Sequence, residues 1–268
     1  MERTHEAEES RTVDAADYTH LSLNNTNGNV VVEGCEGAAL TLCAVKKVKA
    51  HSDEEAREAL NAIRIVVSEE KPALRIATDA SELKPRREYS VNYQVRVPKG
   101  MAVSVETANG NVTTSNTSAE TTVRSKNGNV HASQIGGKAS GQSTNGNVRI
   151  EDVNGPADGR SANGNVELLN VAGPVSGAAM NGNVRASTTR WESGYEARLH
   201  SVNGNVNLQA PEGVSAQVTA SVQNGKVHCE LSVKTSVQTR TKLEGTIGTG
   251  EGVIDLRTTN GNVRIHLS

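Results

Sequence analysis

Phenylalanine is absent from the 268 residues, and the aromatic content is limited to Tyr18, Tyr89, Tyr93, Tyr195 and Trp191. Any core must therefore be filled by Val, Ala, Ile and Leu, and it must be thin. Runs of 18 apolar residues are also lacking, so no membrane-spanning helix is predicted. The opening "MERTHEAEESRTVDAADYTH" has no apolar stretch of the kind that drives secretion, and residues 1–16 read as a disordered acidic tail. Cysteine is scarce. Cys35, Cys43 and Cys229 are odd in number and form no CxxC pair, which excludes a disulfide framework and a zinc site. Buried free thiols are expected, with a Cys35–Cys43 bridge as the alternative. A net charge of -2 builds no broad field toward nucleic acid or an anionic membrane, so neither is expected as a partner.

Repetition is abundant. The tetrapeptide NGNV begins at Asn27, Asn109, Asn127, Asn145, Asn163, Asn181, Asn203 and Asn260, with the variant NGKV at Asn224. From Asn109 to Asn181 the spacing is 18 residues each time; gaps of 22 and 21 follow. The final gap of 36, twice 18, reads as one further unit that has lost its signature.

Aligning the units exposes columns. Three residues after the first Asn stand Val30, Val112, Val130, Val148, Val166, Val184, Val206, Val227 and Val263. Two further on come residues such as Val32, Ile150, Leu168, Leu208 and Ile265, an alternation of period two that marks a strand with one face inside. A second strand leads into each turn, with Ser125, Ser143 and Ser161 two residues before the Asn and Gly141, Gly159 and Gly177 four before it. This small inward face lets two sheets approach closely.

Asn-Gly between alternating strands also suits a two-residue hairpin. Hairpins, however, give antiparallel strands and no reason for like residues to recur every 18 positions. Parallel stacking does, because each position then sits on its counterpart about 4.8 Å away. The predicted fold is all-β, a parallel β-helix or solenoid of about 18 residues per coil. Asn and Gly tolerate left-handed backbone and would bend the chain cheaply. Stacked, the amides of Asn27, Asn109, Asn127, Asn145, Asn163, Asn181, Asn203, Asn224 and Asn260 would form a ladder along one edge. Neutral Asn where charge would be needed argues against calcium, and no cofactor or metal is expected.

"HSDEEAREALNAI" reads as a short helix with Ser52 as N-cap, Glu55 completing a capping box and Ala56, Ala59, Leu60 and Ile63 as its apolar stripe. Strands follow in "IRIVVS", "ALRIATD" and "YSVNYQVRVP", with Lys84-Pro85-Arg86-Arg87 marking a loop. The organisation expected is a single solenoid domain over 17–268, with an inserted helix and strands at about 50–100 capping its N-terminal end.

The order "LSLNNTNGNVVVEG", "SDEEAREALNAIRIVVSEEKPALRIAT", "YQVRVPKGMAVSVETANGNVTT", the repeats, then "IGTGEGVIDLRTTNGNVRIHLS" resembles the bacterial β-strand-repeat family of unknown function grouped with adhesins. The resemblance covers about residues 17–268. It implies a right-handed parallel β-helix in or near the cell envelope and no catalytic residues. Handedness has a physical argument too: a left-handed coil of three strict hexads counted from Val148 would bury Asn154 and Arg160.

Enzymatic chemistry finds little support. Glu151, Asp152, Asp158, Glu167, Glu192 and Glu196 are scattered, and Glu151 and Glu167, the nearest pair, are expected on opposite faces. No GxSxG elbow is present, the seven His are dispersed, and "GTGEG" near residue 250 is a turn. The inward Ser column suits hydrogen bonds to neighbouring coils. One irregular stretch, "STTRWESGYEARLH", gathers Arg190, Trp191, Tyr195, Arg198 and His200 on a protruding loop that would suit ligand contact, or would cover the side of the stack. The function expected is a non-enzymatic adhesive or structural element of the cell envelope or exterior, meeting a cell-surface glycan or protein. The alternatives are a self-associating subunit that stacks through its C-terminal coil, which would suit a cytoplasmic assembly, and a carbohydrate-binding or carbohydrate-acting protein.

Overall fold

The structure is a computed structural model that describes residues 2–268 apart from Arg86; Met1 of the expected tail and Arg86 of the expected loop lie outside the described residues. The first part comprises β1 (Arg3–Asp14), β2 (His20–Asn27), β3 (Val30–Cys35), β4 (Ala39–Ala50), α1 (Asp53–Asn61), β5 (Arg64–Glu70), β6 (Ala73–Asp79) and β7 (Tyr89–Pro98). The repeats supply β8 (Ala102–Asn109), β9 (Val112–Thr117), β10 (Thr121–Asn127), β11 (Val130–Ile135), β12 (Ala139–Asn145) and β13 (Val148–Val153). They continue through β14 (Ala157–Asn163), β15 (Val166–Val171), β16 (Val175–Asn181), β17 (Val184–Thr188), β18 (Glu196–Asn203) and β19 (Val206–Ala210). The last part holds β20 (Ala216–Asn224), β21 (Val227–Cys229), β22 (Lys234–Gln238), β23 (Lys242–Ile247), β24 (Gly252–Asn260) and β25 (Val263–Leu267).

These strands build two long, mostly parallel sheets that face each other as a β-solenoid, one ordered β1-β4-β7-β3-β9-β11-β13-β15-β17-β19-β25-β21 and the other β22-β23-β20-β24-β18-β16-β14-β12-β10-β8-β2-β6-β5. Register follows the repeat: Val130 pairs with Val148 and Val148 with Val166, while Asn127 pairs with Asn145 and Asn145 with Asn163. The valine column is buried from Val30 to Val206, with side chains such as Ile150 and Leu168 filling the space between sheets. At Gly159 an added Cβ would stand 2.7 Å from Val166 Cγ1 and 2.9 Å from Leu168 Cδ2, so the glycine is required by the opposite sheet's side chains. Asn154 and Arg160, which strict hexads would bury, are exposed.

Coils are not stacked in chain order at either end. The coil of β6 and β7 lies outside that of β2 and β3, which pairs on its other side with β8 and β9. Likewise the coil of β24 and β25 is wedged between β18–β19 and β20–β21. The C-terminal coil is therefore interior, and the free stacking edge expected there is not found: Val263 has Val206 on one side and Val227 on the other.

Two further expectations are corrected. The opening residues are not a disordered tail: Arg3–Asp14 pairs antiparallel with β4 over twelve residues, and Glu6 and Glu9 meet Lys47 at 2.6 Å and Lys46 at 2.9 Å. Acidic composition there is cross-strand complementarity. The 36-residue gap holds no lost coil, because β22 and β23 form an antiparallel hairpin laid against β20.

At the other end β5 runs antiparallel to β6, and β4 to β7. Helix α1 packs on β4 and β1 through Ala56 and Ala59; Ser52 Oγ accepts from Glu55 N at 3.2 Å, and the Glu55 carboxylate reaches back to His51 N at 2.9 Å. The cysteines are free thiols, half-buried rather than buried.

Candidate functional site

The repeated turn is built by close contact and by backbone freedom at glycine, since Gly28, Gly110, Gly128, Gly225 and Gly261 have φ of 121°, 148°, 157°, 158° and 154°. None of the turn asparagines has a positive φ. A Cβ on Gly128 would lie 2.1 Å from the Gly110 carbonyl oxygen, and one on Gly146 would lie 2.2 Å from that of Gly128. Glycine lets each turn settle directly on the turn below. At a second corner the left-handed residues are not glycine: Asn116, Gln134, Asp152 and Asn170 have φ of 60°, 56°, 56° and 54°. That twist shifts the alternation, so Ile135 and Val153 point inward although they stand an odd number of residues beyond Ala132 and Ile150.

Along the turns the side-chain amides connect in file. Asn109 Nδ2 donates to Asn27 Oδ1 at 2.7 Å, Asn127 to Asn109 at 2.8 Å, Asn145 to Asn127 at 2.7 Å, and Asn163, Asn181 and Asn203 each to the one before at 2.9 Å. Asn260 donates to Asn203 and Asn224 to Asn260, both at 2.8 Å. A second file runs beside it: the backbone N–H of Asn129 donates to Asn111 Oδ1, that of Asn147 to Asn129 Oδ1, and so on to Asn262. Sequence reasoning missed this file, although its signal is the second Asn of every NGNV. Lys226 ends it, donating its N–H to Asn262 Oδ1 in the outermost coil, where an acceptor side chain would have no further partner. Beneath both files, Ser125, Ser143, Ser161, Ser201 and Thr258 donate to carbonyls of turn glycines in the neighbouring coil at 2.7–2.9 Å.

The outward faces carry the remaining chemistry. On the sheet of β11, β13 and β15, Arg149 bridges Glu151 at 2.6 Å and Glu167 at 2.7 Å, and His131 Nε2 lies 2.8 Å from Glu151 Oε1. Glu151 and Glu167 therefore share a face; their offsets of six and four from the turn Asn have equal parity, and parity sets the side of a strand. The hydrogen bond from Arg149 holds the Glu151 carboxyl below its usual range, with His131 acting the same way against the effect of burial. These groups are saturated by one another.

On the opposite sheet a shallow open groove of about 590 Å³ crosses β12 to β18 and β24. Met180 and Val202, 55% and 44% exposed, stand on the neighbouring strands β16 and β18 and line it together with His200, Arg160 and Arg257. Both arginines are paired within their own strands, to Asp158 at 3.1 Å and Asp255 at 2.7 Å.

The five residues singled out in the insertion do not converge. Trp191 Nε1 donates to Ser215 O at 2.9 Å, its ring lies over Gly252, and Tyr195 meets it edge-on at 6.4 Å between centroids. Arg190 reaches the Ala172 carbonyl at 2.7 Å, and Arg198 pairs with Glu196 at 2.9 Å. Only His200 faces the groove. The aromatic pair thus seals the place where β24 enters between its neighbours. Among the described residues no three His, Cys, Asp or Glu side chains gather as metal ligands, and no helix is long and apolar enough to cross a membrane.

The chain is similar to a putative adhesin from Bacteroides fragilis, 13% identical over 98% of this chain and 97% of that one, with a TM-score of 0.53. It is also similar to a putative adhesin from Parabacteroides distasonis, 11% identical over 98% and 97%, with a TM-score of 0.40. At these identities the first likeness speaks to fold alone. No curated protein matches the chain. One family model, Toastrack DUF4097, matches residues 18–266, nearly the whole of the two-sheet stack, and the chain belongs to that family.

Proposed function

We propose that the protein is a non-catalytic β-solenoid of the bacterial cell envelope, an adhesive or structural rod that meets a surface glycan or protein. The observation that carries this reading is the unbroken file of amides from Asn27 to Asn224, which ties successive coils into one stiff body with long, regular outer faces. Repeat scaffolds of this kind recognise extended partners through many contacts spread along a face. The saturated charges around Arg149 favour a structural role for that side, and the apolar groove at Met180 and Val202 favours the opposite sheet as the contact face. The winding in this reading is right-handed, with 18 residues per regular coil. Support comes from the strong preference of parallel crossover connections for that hand and from the exposure of Asn154 and Arg160.

The test joins surface labelling of intact producing cells with binding of the purified chain to arrays of glycans and extracellular matrix proteins. Labelling from outside, and capture that is lost in the double variant Met180→Ser, Val202→Ser, are expected. Protection from external label together with an array free of binding sinks the proposal.

A further inference from the structure

We infer that Asn154 and Asn224 are the chain's sites of spontaneous deamidation, and that the stacked turns shield the other Asn-Gly pairs. Ten Asn-Gly dipeptides occur, beginning at residues 27, 109, 127, 145, 154, 163, 181, 203, 224 and 260. In such a pair the backbone nitrogen of the glycine attacks the Asn side-chain carbonyl carbon. A C–N bond forms, ammonia leaves, and the resulting succinimide is opened by water to aspartate or isoaspartate. Net, one water enters and one ammonia departs, with no oxidant or other co-reactant. The reaction needs a free side-chain amide and a glycine nitrogen released from its own hydrogen bond.

The structure ranks the ten pairs by how many bonds must open first. At Asn127 there are three: its Nδ2 donates to Asn109, its Oδ1 accepts from Asn145, and Gly128 N–H donates to the Asn145 carbonyl at 3.0 Å. The same three hold Asn109, Asn145, Asn163, Asn181, Asn203 and Asn260. Asn27, at one end, has two, accepting from Asn109 Nδ2 while Gly28 N–H donates to the Asn109 carbonyl. Asn224, at the other end, has one: Nδ2 donates to Asn260, but among the described residues nothing donates to its Oδ1 and Gly225 N–H has no acceptor. Asn154, exposed in the loop between β13 and β14, has none among the described residues, where its one bond is from its own backbone N–H to Ile135 O.

Each net hydrogen bond is worth roughly a factor of five in population. The seven three-bond sites should therefore react about a hundredfold more slowly than in an unfolded chain, Asn27 about twenty-five-fold, Asn224 about fivefold and Asn154 at nearly the unfolded rate. Conversion at Asn224 replaces the donor of the outermost rung by a carboxylate that faces the Asn260 oxygen, and so loosens the last coil.

The experiment incubates the intact protein in mildly alkaline buffer, in parallel with the same chain in concentrated urea, and follows amide-to-acid conversion at each pair by peptide mapping and mass spectrometry. The expected result is similar rates at all ten sites in urea and, without urea, conversion concentrated at Asn154 and then Asn224. Conversion of any three-bond site as fast as Asn154, or protection of Asn154 and Asn224 equal to that of Asn145, overturns the inference.

Discussion

Asn260 donates its side-chain amide to Asn203 at 2.8 Å across 57 residues of chain. The bond exists because β24 lies between β18 and β20, although β20 precedes it in sequence. Order along the stack and order along the chain are different quantities here, and protection from solvent follows the former. Hydrogen exchange should find the amides of β24 and Val263–Ile265 among the slowest, while those of β21 and β22, which edge their sheets, exchange fast. Fraying from residue 268 inward would contradict this placement.

Removing an interior amide leaves two partners unmatched. Asn145→Ala should cost about 1–2 kcal/mol, since a net bond is worth roughly 1 kcal/mol and the site is exposed, whereas Asn224→Ala should cost about half as much. Urea unfolding midpoints at a constant slope give the comparison, and equal losses would show that the files add nothing beyond each residue's own turn.

Glycine substitutions separate contact from conformation. Gly146→Ala drives a methyl into the Gly128 carbonyl 2.2 Å away, and rigid backbone stacked on both sides offers it no escape, so a loss above about 2 kcal/mol is expected. Gly100→Ala meets nothing within 4 Å and should stay within about 0.5 kcal/mol of the parent. Thermal or urea unfolding of both variants checks the contrast.

Tyr93 gives a pH signature. Burial pushes its phenol up to about 12, and its hydroxyl lies 2.6 Å from Thr78 Oγ1 beside the buried Asn25 amide. A raised folded value means that this contribution is fully present below the unfolded value of about 10 and is lost as pH rises through about 12. Stability of the parent should therefore fall across that window more steeply than that of Tyr93→Phe. Parallel pH profiles for the two proteins would remove Tyr93 from the account.

Much of this was legible in the residues themselves. The valine column, the inward glycines at 141, 159 and 177 and the stacked Asn are periodic, and period alone selects parallel stacking over hairpins. The second corner was also written in the sequence, since Asn116, Asp152 and Asn170 are residue types that tolerate left-handed backbone. Strand β1 was not legible, because what orders it is the backbone ladder to β4, a strand far along the chain whose Lys46 and Lys47 meet its acids. Nor was coil order: the coils that turn at Asn-Gly share one signature, so any of these could sit on any other, and only Lys226 in place of Asn marked the one at the far end. The groove at Met180 and Val202 arises from two strands whose outward residues differ from their columns, and no repeat predicts it.

The wedged coil also bears on how the molecule is made. Residues 216–229 are synthesised before residues 252–267, yet the later segment must occupy the place between them and residues 196–210. A nascent chain that closed β20 directly onto β18 would satisfy the same amide pattern and bury similar valines, so this near-degenerate closure is a trap built into repetition itself. In the folded chain the hairpin of β22 and β23 covers β20 on the side away from β24, so only the edge that β24 takes is left to receive a further strand.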